Sequence, residues 1–476
     1  MKRIAIVGAG ISGLSAALTL ERARAEGAEV AVTLFESSPR LGGVLRTEQV
    51  DGCLIEAGPD SFLTEKSWGL DFCRSLGLGD QLIGSNDSER KTYILVRGRL
   101  IEIPDGLMFM VPTKLMPTVL SPLFSWGTKL RMGMEYLFPP KAPQRNGDES
   151  VATLVERHFG PEMVDRLAEP LLSGVYGGRA AELSVEAVLP RFAQLEKQYG
   201  SLSRGMLAAR KKMASATKSA PPRPLFTSLR DGMQQLVDAV SARLKTTEIR
   251  TGVKIAKLAR TGEGWTITPE GGSAVIFNAL ILATPAWAAS SLLAEISPEL
   301  SGELAGINYS SSVTITLGYN MSDLATLPPG FGFLVPRSEG RSMLACTFVH
   351  KKFPHRAPPD IGLIRCFVGG AGNDRALDLS DEELLARVRK DLVETTGLKA
   401  EPRFARVYRW RRSMAQPGVG HPQRVERIKR AVEQLPGLAL AGNFYRGIGV
   451  PDCIASGEAA AKSVAGVSAG TPRGIQ

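Results

Sequence analysis

Histidine and cysteine are scarce in this chain and scattered. The four histidines (His158, His350, His355, His421) offer no pair at the i, i+4 spacing of a helical metal site. The five cysteines (Cys53, Cys73, Cys346, Cys366, Cys453) are odd in number, far apart and without a C-x-x-C. That excludes a disulfide framework and a zinc site, so buried thiols are the expected state and no metal is expected. Long apolar runs are missing too. None reaches the roughly 18 uninterrupted residues of a bilayer span, so the chain is expected in the cytoplasm. Acids are absent between Asp105 and Glu135, and again from Lys197 to Arg230. The net charge of +10 favours anionic partners: nucleic acid, acidic lipid or a carboxylate-bearing substrate. No helix-turn-helix, zinc finger or aromatic RNA motif accompanies the charge, so no nucleic acid is expected. A chain of 476 residues is too long for one simple core, and two or three domains are expected.

What is present gathers first at the start of the chain. An apolar run over residues 4–7 leads into Gly8-Ala9-Gly10-Ile11-Ser12-Gly13. A helical pattern follows over about 14–25, then a second apolar run over 30–35 and Glu36. Strand, glycine turn, helix, strand and acid, in that order, make a dinucleotide fingerprint. Gly8 allows the tight turn, Gly10 lets backbone approach a pyrophosphate at the helix N-terminus, and Gly13 lets helix and strand pack closely. Glu36 accepts from ribose hydroxyls. A positive start, apolar residues to Leu20 and Ala23-Arg24-Ala25 also describe a secretory leader. Three glycines break its would-be core, and cleavage would strip Glu36 of its partner loop, so the dinucleotide reading is preferred.

Two further segments suit a longer cofactor. Ser37-Ser38-Pro39-Arg40-Leu41-Gly42-Gly43 supplies a second close backbone approach, with Arg40 and Arg46 available to neutralise pyrophosphate. Residues 52–62 read as a strand ending in the turn Gly58-Pro59-Asp60-Ser61. A nicotinamide dehydrogenase needs neither segment; a cofactor running from adenosine to a flavin ring needs both. At the far end, Gly442-Asn443 and Gly447-Ile448-Gly449-Val450 lead into a helix over about 452–464. Such a turn presents N–H groups to something anionic or electron-rich.

These motifs resemble the flavin monoamine oxidase and phytoene desaturase superfamily. Within it, the segments over 169–178, 228–233, 367–370 and 440–450 resemble the oxygen-dependent protoporphyrinogen oxidases, and the resemblance covers nearly the whole chain. It implies a non-covalently held FAD, with Val253 against the adenine and Trp410 bordering the flavin. It implies a tetrapyrrole held by Leu334, Thr347 and Phe367, with Gly174, on a loop, approaching a ring. It also implies three two-electron oxidations of protoporphyrinogen IX, with O2 as acceptor and hydrogen peroxide as by-product. Coproporphyrinogen III, with four propionates, is the alternative. Family members often carry a propionate-binding arginine where Thr92 stands here, which leaves Arg90 or Lys91 as replacements. No catalytic acid or base stands out. A flavin amine oxidase, with Tyr445 as one wall of an aromatic cage, a carotenoid-type desaturase, and a flavin-binding sensor with no turnover remain open on the same frame.

The expected fold class is α/β. A discontinuous Rossmann-like FAD domain (1–90, 225–285 and 436–476) carries an antiparallel-sheet substrate domain (286–435) and a helical, membrane-associating insertion (91–224). The insertion is dense in Met, Leu and Phe over about 107–137 and cut by Pro104, Pro112, Pro117 and Pro122. With the basic stretch after Lys197 it suits peripheral contact with an anionic membrane at the inner face of the cell membrane. Residues 215–224 and the tail from Ser468 are expected to be mobile. The oligomeric state stays open, a homodimer included.

Overall fold

The computed structural model describes residues 1–108, 110–140, 147–216, 223–262 and 264–466. The proline-rich end of the basic stretch (217–222) and the tail from 467 lie outside these residues. The chain builds a parallel sheet of five strands in the order Glu248–Thr251, Val30–Glu36, Lys2–Val7, Ala279–Leu282, Leu438–Leu440. Its central strands are apolar on both faces (Ile4, Ala5 and Ile6 have no exposed area) because helices cover both sides. Helix Ile11–Ala25 covers one side and is crossed by the last helix, Val450–Ala465. The crossing is close: a Cβ on Gly457 would lie 2.0 Å from the Ser12 carbonyl oxygen.

The second sheet has seven strands, in the order Phe404–Gln416, Asn308–Asn320, Ile361–Gly369, Met343–Phe348, Gly332–Leu334, Thr92–Val96, Arg99–Glu102. All neighbours are antiparallel except Gly332–Leu334 with Thr92–Val96, which run parallel. Residues 92–102 therefore belong to this sheet and not to the helical insertion. They pair well because Tyr93 and Leu95 add to the same buried face as Ile315, Leu317 and Cys366, over which helix Asp381–Thr396 packs. All five cysteines are free and buried.

The helical region from Leu115 to Ala216 is assembled around its own core of Leu154, Phe159, Leu167 and Phe192. Helix Trp126–Leu137 within it is inside out. Trp126, Leu130 and Met134 recur every four residues on the exposed side, whereas Glu135 is buried. Glu135 accepts from the backbone N–H of Leu202 (2.8 Å) and Ser203 (3.2 Å), the Ser201 hydroxyl (3.1 Å), and the His158 ring at 2.8 Å. His158 bridges on to Glu196 at 3.0 Å, and Arg157 pairs with Glu196 and Glu149. Among the described residues no helix is long and apolar enough to cross a membrane.

Burial by itself would lower the His158 pKa; hydrogen bonds and charge from Glu135 and Glu196 outweigh it and hold the imidazolium above its usual range. Stability that rests on that charge is complete below the unfolded value of about 6.5 and is lost as pH rises through the raised folded value. His158→Gln should therefore cost about 3 kcal/mol near neutral pH. Thermal melts across pH should show the gap to wild type widest on the acidic side and narrowing as the medium becomes alkaline.

Candidate functional site

Four glycine segments converge beyond the carboxyl ends of the parallel strands. The Gly42 N–H donates to the Ala9 carbonyl (2.8 Å), and a Cβ on Gly43 would lie 3.2 Å from the Gly10 Cα. A Cβ on Gly58 would fall 1.9 Å from the Val44 carbonyl oxygen. The three N-terminal segments thus touch backbone to backbone and form one seam. Gly442 joins from the far end, beside Phe444 and the Thr284 carbonyl. Glu36 is held at the seam, accepting from the N–H groups of Ala9 (2.7 Å) and Ser38 (2.8 Å); the Ser37 hydroxyl lies at 3.4 Å. The Val253 N–H donates to the Glu36 carbonyl at 2.8 Å, which sets Val253 beside that acid.

The seam fits a dinucleotide on three observations. Helix Ile11–Ala25 starts at Gly10 with no capping side chain and no acid in its first turn, so the N–H groups of its first turn are left without an intrahelical or side-chain partner. Among the described residues nothing beyond its chain neighbours lies within 4 Å of where a Gly10 Cβ would sit, whereas a Cβ on Gly13 would strike the Gly8 carbonyl oxygen at 1.8 Å. The hydroxyls of Thr284 and Tyr445 are buried at this junction without a protein partner. Asn443, Gly447 and Ile448, with Tyr176, Ala415 and Tyr445, line a cleft of about 410 Å³. Gly449 and Val450 start the last helix, where the Gly449 N–H donates to Asp452 at 3.1 Å. The Arg40 guanidinium holds the carbonyls of Leu41 and Leu45 (3.1 Å each) and Gly43, bracing the loop. Arg46 pairs with Glu48.

The large sheet turns one face toward this seam. Trp410 reaches across it, its ring N–H donating to the Ala57 carbonyl at 2.9 Å. Strand register places Thr314, Phe367, Ala345, Leu334 and Ile94 side by side across five strands. Thr347 lies two residues from Ala345, on the same face. Leu334, Thr347 and Phe367 are each the one partly open position of an otherwise buried strand. Gly174 comes down on this stripe: a Cβ there would sit 3.3 Å from Leu334 Cδ2. Its segment is helical, not a loop. Helix Glu169–Tyr176 runs through it and stops only at Gly177, whose left-handed conformation caps it. Thr92 pairs with Gly332 at the end of the same stripe. Lys91 has the opposite parity and pairs with Glu102 at 3.1 Å, so it does not replace the absent arginine at that position.

One group of residues is missing from the sequence reading. Asp60 and Ser61, taken as cofactor contacts, are held by Lys352, whose ammonium lies 3.1 Å from Asp60 Oδ2 and 3.1 Å from the Ser61 hydroxyl. Arg356 pairs with Glu56 at 3.2 Å and donates to the Asp60 carbonyl (3.1 Å) and Ser228 (2.6 Å). Arg365 donates to the Gly58 carbonyl. Burial pushes the Asp60 carboxyl up, but Lys352, Arg365 and Arg356 together draw it well below the carboxylate range. The signal in the sequence was Arg365 itself, a lone charge in the apolar strand Ile361–Gly369, which must find a buried partner.

Residues 11–465 match the family of flavin containing amine oxidoreductases. The chain is 35% identical over 461 residues to the coproporphyrinogen III oxidase of Bacillus subtilis, covering 96% of this chain and 97% of that one. It is 28% identical to the mitochondrial protoporphyrinogen oxidase of Nicotiana tabacum, covering 96% and 93%. A solved structure from Exiguobacterium sp. 255-15, provisionally named a protoporphyrinogen oxidase, superposes with a TM-score of 0.87 at 32% identity over 98% of both chains.

Alanine at Gly10 and at Gly13 should separate cofactor binding from folding. Gly10→Ala should fold and melt like wild-type apoprotein yet bind FAD at least tenfold more weakly, about 1.4 kcal/mol by flavin fluorescence titration. Gly13→Ala should fail to fold stably, with or without added FAD. The sheet order, the glycine seam and the match over residues 11–465 agree: this chain belongs to the flavin containing amine oxidoreductase family and is an FAD-dependent oxidoreductase.

Proposed function

We propose that this chain oxidises a porphyrinogen to the porphyrin with O2 as acceptor, in tetrapyrrole and haem biosynthesis, and that coproporphyrinogen III is its preferred substrate. The observation that carries the reading is the half-open stripe of Leu334, Thr347 and Phe367, facing the cofactor seam and overlooked by Gly174. A phenyl ring, an isobutyl group and a side-chain-free helix turn suit a flexible macrocycle held by dispersion and area burial. Bound FAD supplies a two-electron acceptor that O2 reoxidises. Three such rounds remove six hydrogens from the macrocycle and yield three molecules of hydrogen peroxide.

The chain's own part is orientation and exclusion of water. Pyrrole N–H protons leave to water, so no general base is assigned. Coproporphyrinogen is preferred because the relative of that name is the more similar, 35% against 28% identical. It is also preferred because cations stand at the rim of the stripe. Arg337 lies by Gly370, tied to Glu169 at 2.9 Å, and Arg179 lies by Gly372. Protoporphyrinogen IX, placed first from sequence alone, is the second reading, favoured by the apolar stripe and the absence of an arginine at Thr92.

The exposed apolar helix supports peripheral membrane contact as part of the same reading. Trp126, Leu130 and Phe138 stand in water beside Lys129, whose ammonium lies 4.6 Å above the Trp126 ring, and beside Arg204 against Tyr136. Apolar wedge and basic flank together suit an anionic bilayer surface.

Anaerobic mixing with coproporphyrinogen III should bleach the flavin as porphyrin fluorescence rises, and air should restore the flavin with release of peroxide. A faster reaction with protoporphyrinogen IX would favour the second reading; a flavin that stays oxidised with both would end the assignment. Gly174→Leu should keep its FAD and lose at least a hundredfold in turnover, about 2.7 kcal/mol. In vesicle sedimentation, Trp126→Glu combined with Leu130→Glu should abolish binding to anionic liposomes and leave turnover of dissolved substrate unchanged.

A further inference from the structure

The charges behind Gly58 do not balance. Lys352, Arg356 and Arg365 have side chains 10%, 1% and 6% exposed, and they face Glu56 and Asp60, 1% and 16% exposed. Three cations against two carboxylates leave one positive charge in excess, away from water. Tyr408, which also faces Arg365, adds no charge of its own: its hydroxyl donates to Glu48 at 2.8 Å. Folding alone gives no reason for the surplus, because an unpaired buried charge is destabilising. The aromatic faces beside it (Phe226 at 4.4 Å from the Lys352 ammonium, Phe353 at 4.8 Å from the Arg356 guanidinium) soften that cost and keep the cations in place.

The surplus sits where cofactor and substrate surfaces meet. Arg365 donates to the carbonyl of Gly58, the glycine that closes the seam against Val44. The same guanidinium lies 4.9 Å from the centre of the Phe367 ring on the half-open stripe. Hydride transfer moves a proton and two electrons from a substrate C–H onto the cofactor. The cofactor thereby gains one negative charge, and the substrate's matching positive charge leaves as an N–H proton to water. We propose that the excess positive charge of the Lys352–Arg365–Asp60 group is fixed there to stabilise that gain. It raises the reduction potential of the bound flavin and its affinity for anions at the ring. The inference rests on the FAD reading and deepens it. Arg365 and Lys352 act through Gly58 and Asp60, so they are positioning residues.

The test uses flavin-loaded protein and two readouts that need no substrate: the two-electron midpoint potential by dye equilibration, and the affinity for sulfite by absorbance. Arg365→Gln and Lys352→Met should each lower the reduction equilibrium about tenfold, a fall of about 30 mV, and weaken sulfite about tenfold. Arg365→Lys, which keeps the charge, should stay within twofold of wild type. Asp60→Asn, which removes a negative charge, should move both readouts the other way. If the glutamine variant does not fold, the lysine and asparagine variants still decide the matter. Flavin-loaded variants that all stay within twofold of wild type, or that move in one direction whatever the sign of the charge removed, overturn the inference. Wild-type protein that takes up no FAD overturns the cofactor reading beneath it.

Discussion

Everything in this molecule depends on backbone meeting backbone without side chains between. Where the Gly13 helix turn crosses Gly8 and where Gly58 meets Val44, a Cβ would need space that a carbonyl oxygen already fills, and where Gly43 meets Gly10 it would press to 3.2 Å from the Gly10 Cα. These contacts close a narrow crevice at the ends of the parallel strands. They also tie three segments that are separate along the chain into one surface. Secondary structure supplies the strands and helices, but the missing methyl groups decide how near they come.

The large sheet shows how one element can serve two chemistries. Its far face is an ordinary core of Ile315, Leu317, Cys366 and Phe348. Its near face alternates with that core residue by residue and carries Thr314 and Thr316 beside Phe367, Arg365, Tyr408 and Trp410. The cost of desolvating Arg365 is offset by Asp60 and the Gly58 carbonyl, which the N-terminal segment brings to it. The charge group is therefore also a fastening between the cofactor segment and the sheet, and removing any one partner leaves the others buried and unsatisfied.

Much of this was legible in the residues. The spacing from Gly8 to Glu36 defines a local βαβ unit whose geometry is nearly fixed by its sequence. The stripe of Leu334, Thr347 and Phe367 was legible only through resemblance, since in a strand buried on both faces the period-two pattern disappears. Strands 92–102 form a local hairpin, with Tyr93 opposite Glu102 and Val96 opposite Arg99, but they were read with the helices because the strand that ties them to the large sheet, Gly332–Leu334, lies far along the chain. The helix through Gly174 was read as a loop because glycine at its end carries poor helix propensity. Packing against Leu334 and the cap at Gly177 override that preference. The inward Glu135 and outward Trp126 invert the usual pattern, and nothing in the residues of the helix itself shows which carboxylate will be buried, because its partners Ser201 to Ser203 come from another part of the chain.

The parallel sheet has a consequence for how the protein is made. Its central strand, Lys2–Val7, leaves the ribosome long before its edge strand, Leu438–Leu440. The closing helix, packed on Ser12 through Gly457, comes later still. At ordinary elongation rates the two ends are separated by roughly 20–90 s. During that interval the crevice has one wall, and the helical region and the large sheet emerge before the second arrives. The crevice is therefore completed only when the last helix has been made, and a chain that stops short of Asn443 lacks the wall of Asn443, Gly447 and Ile448.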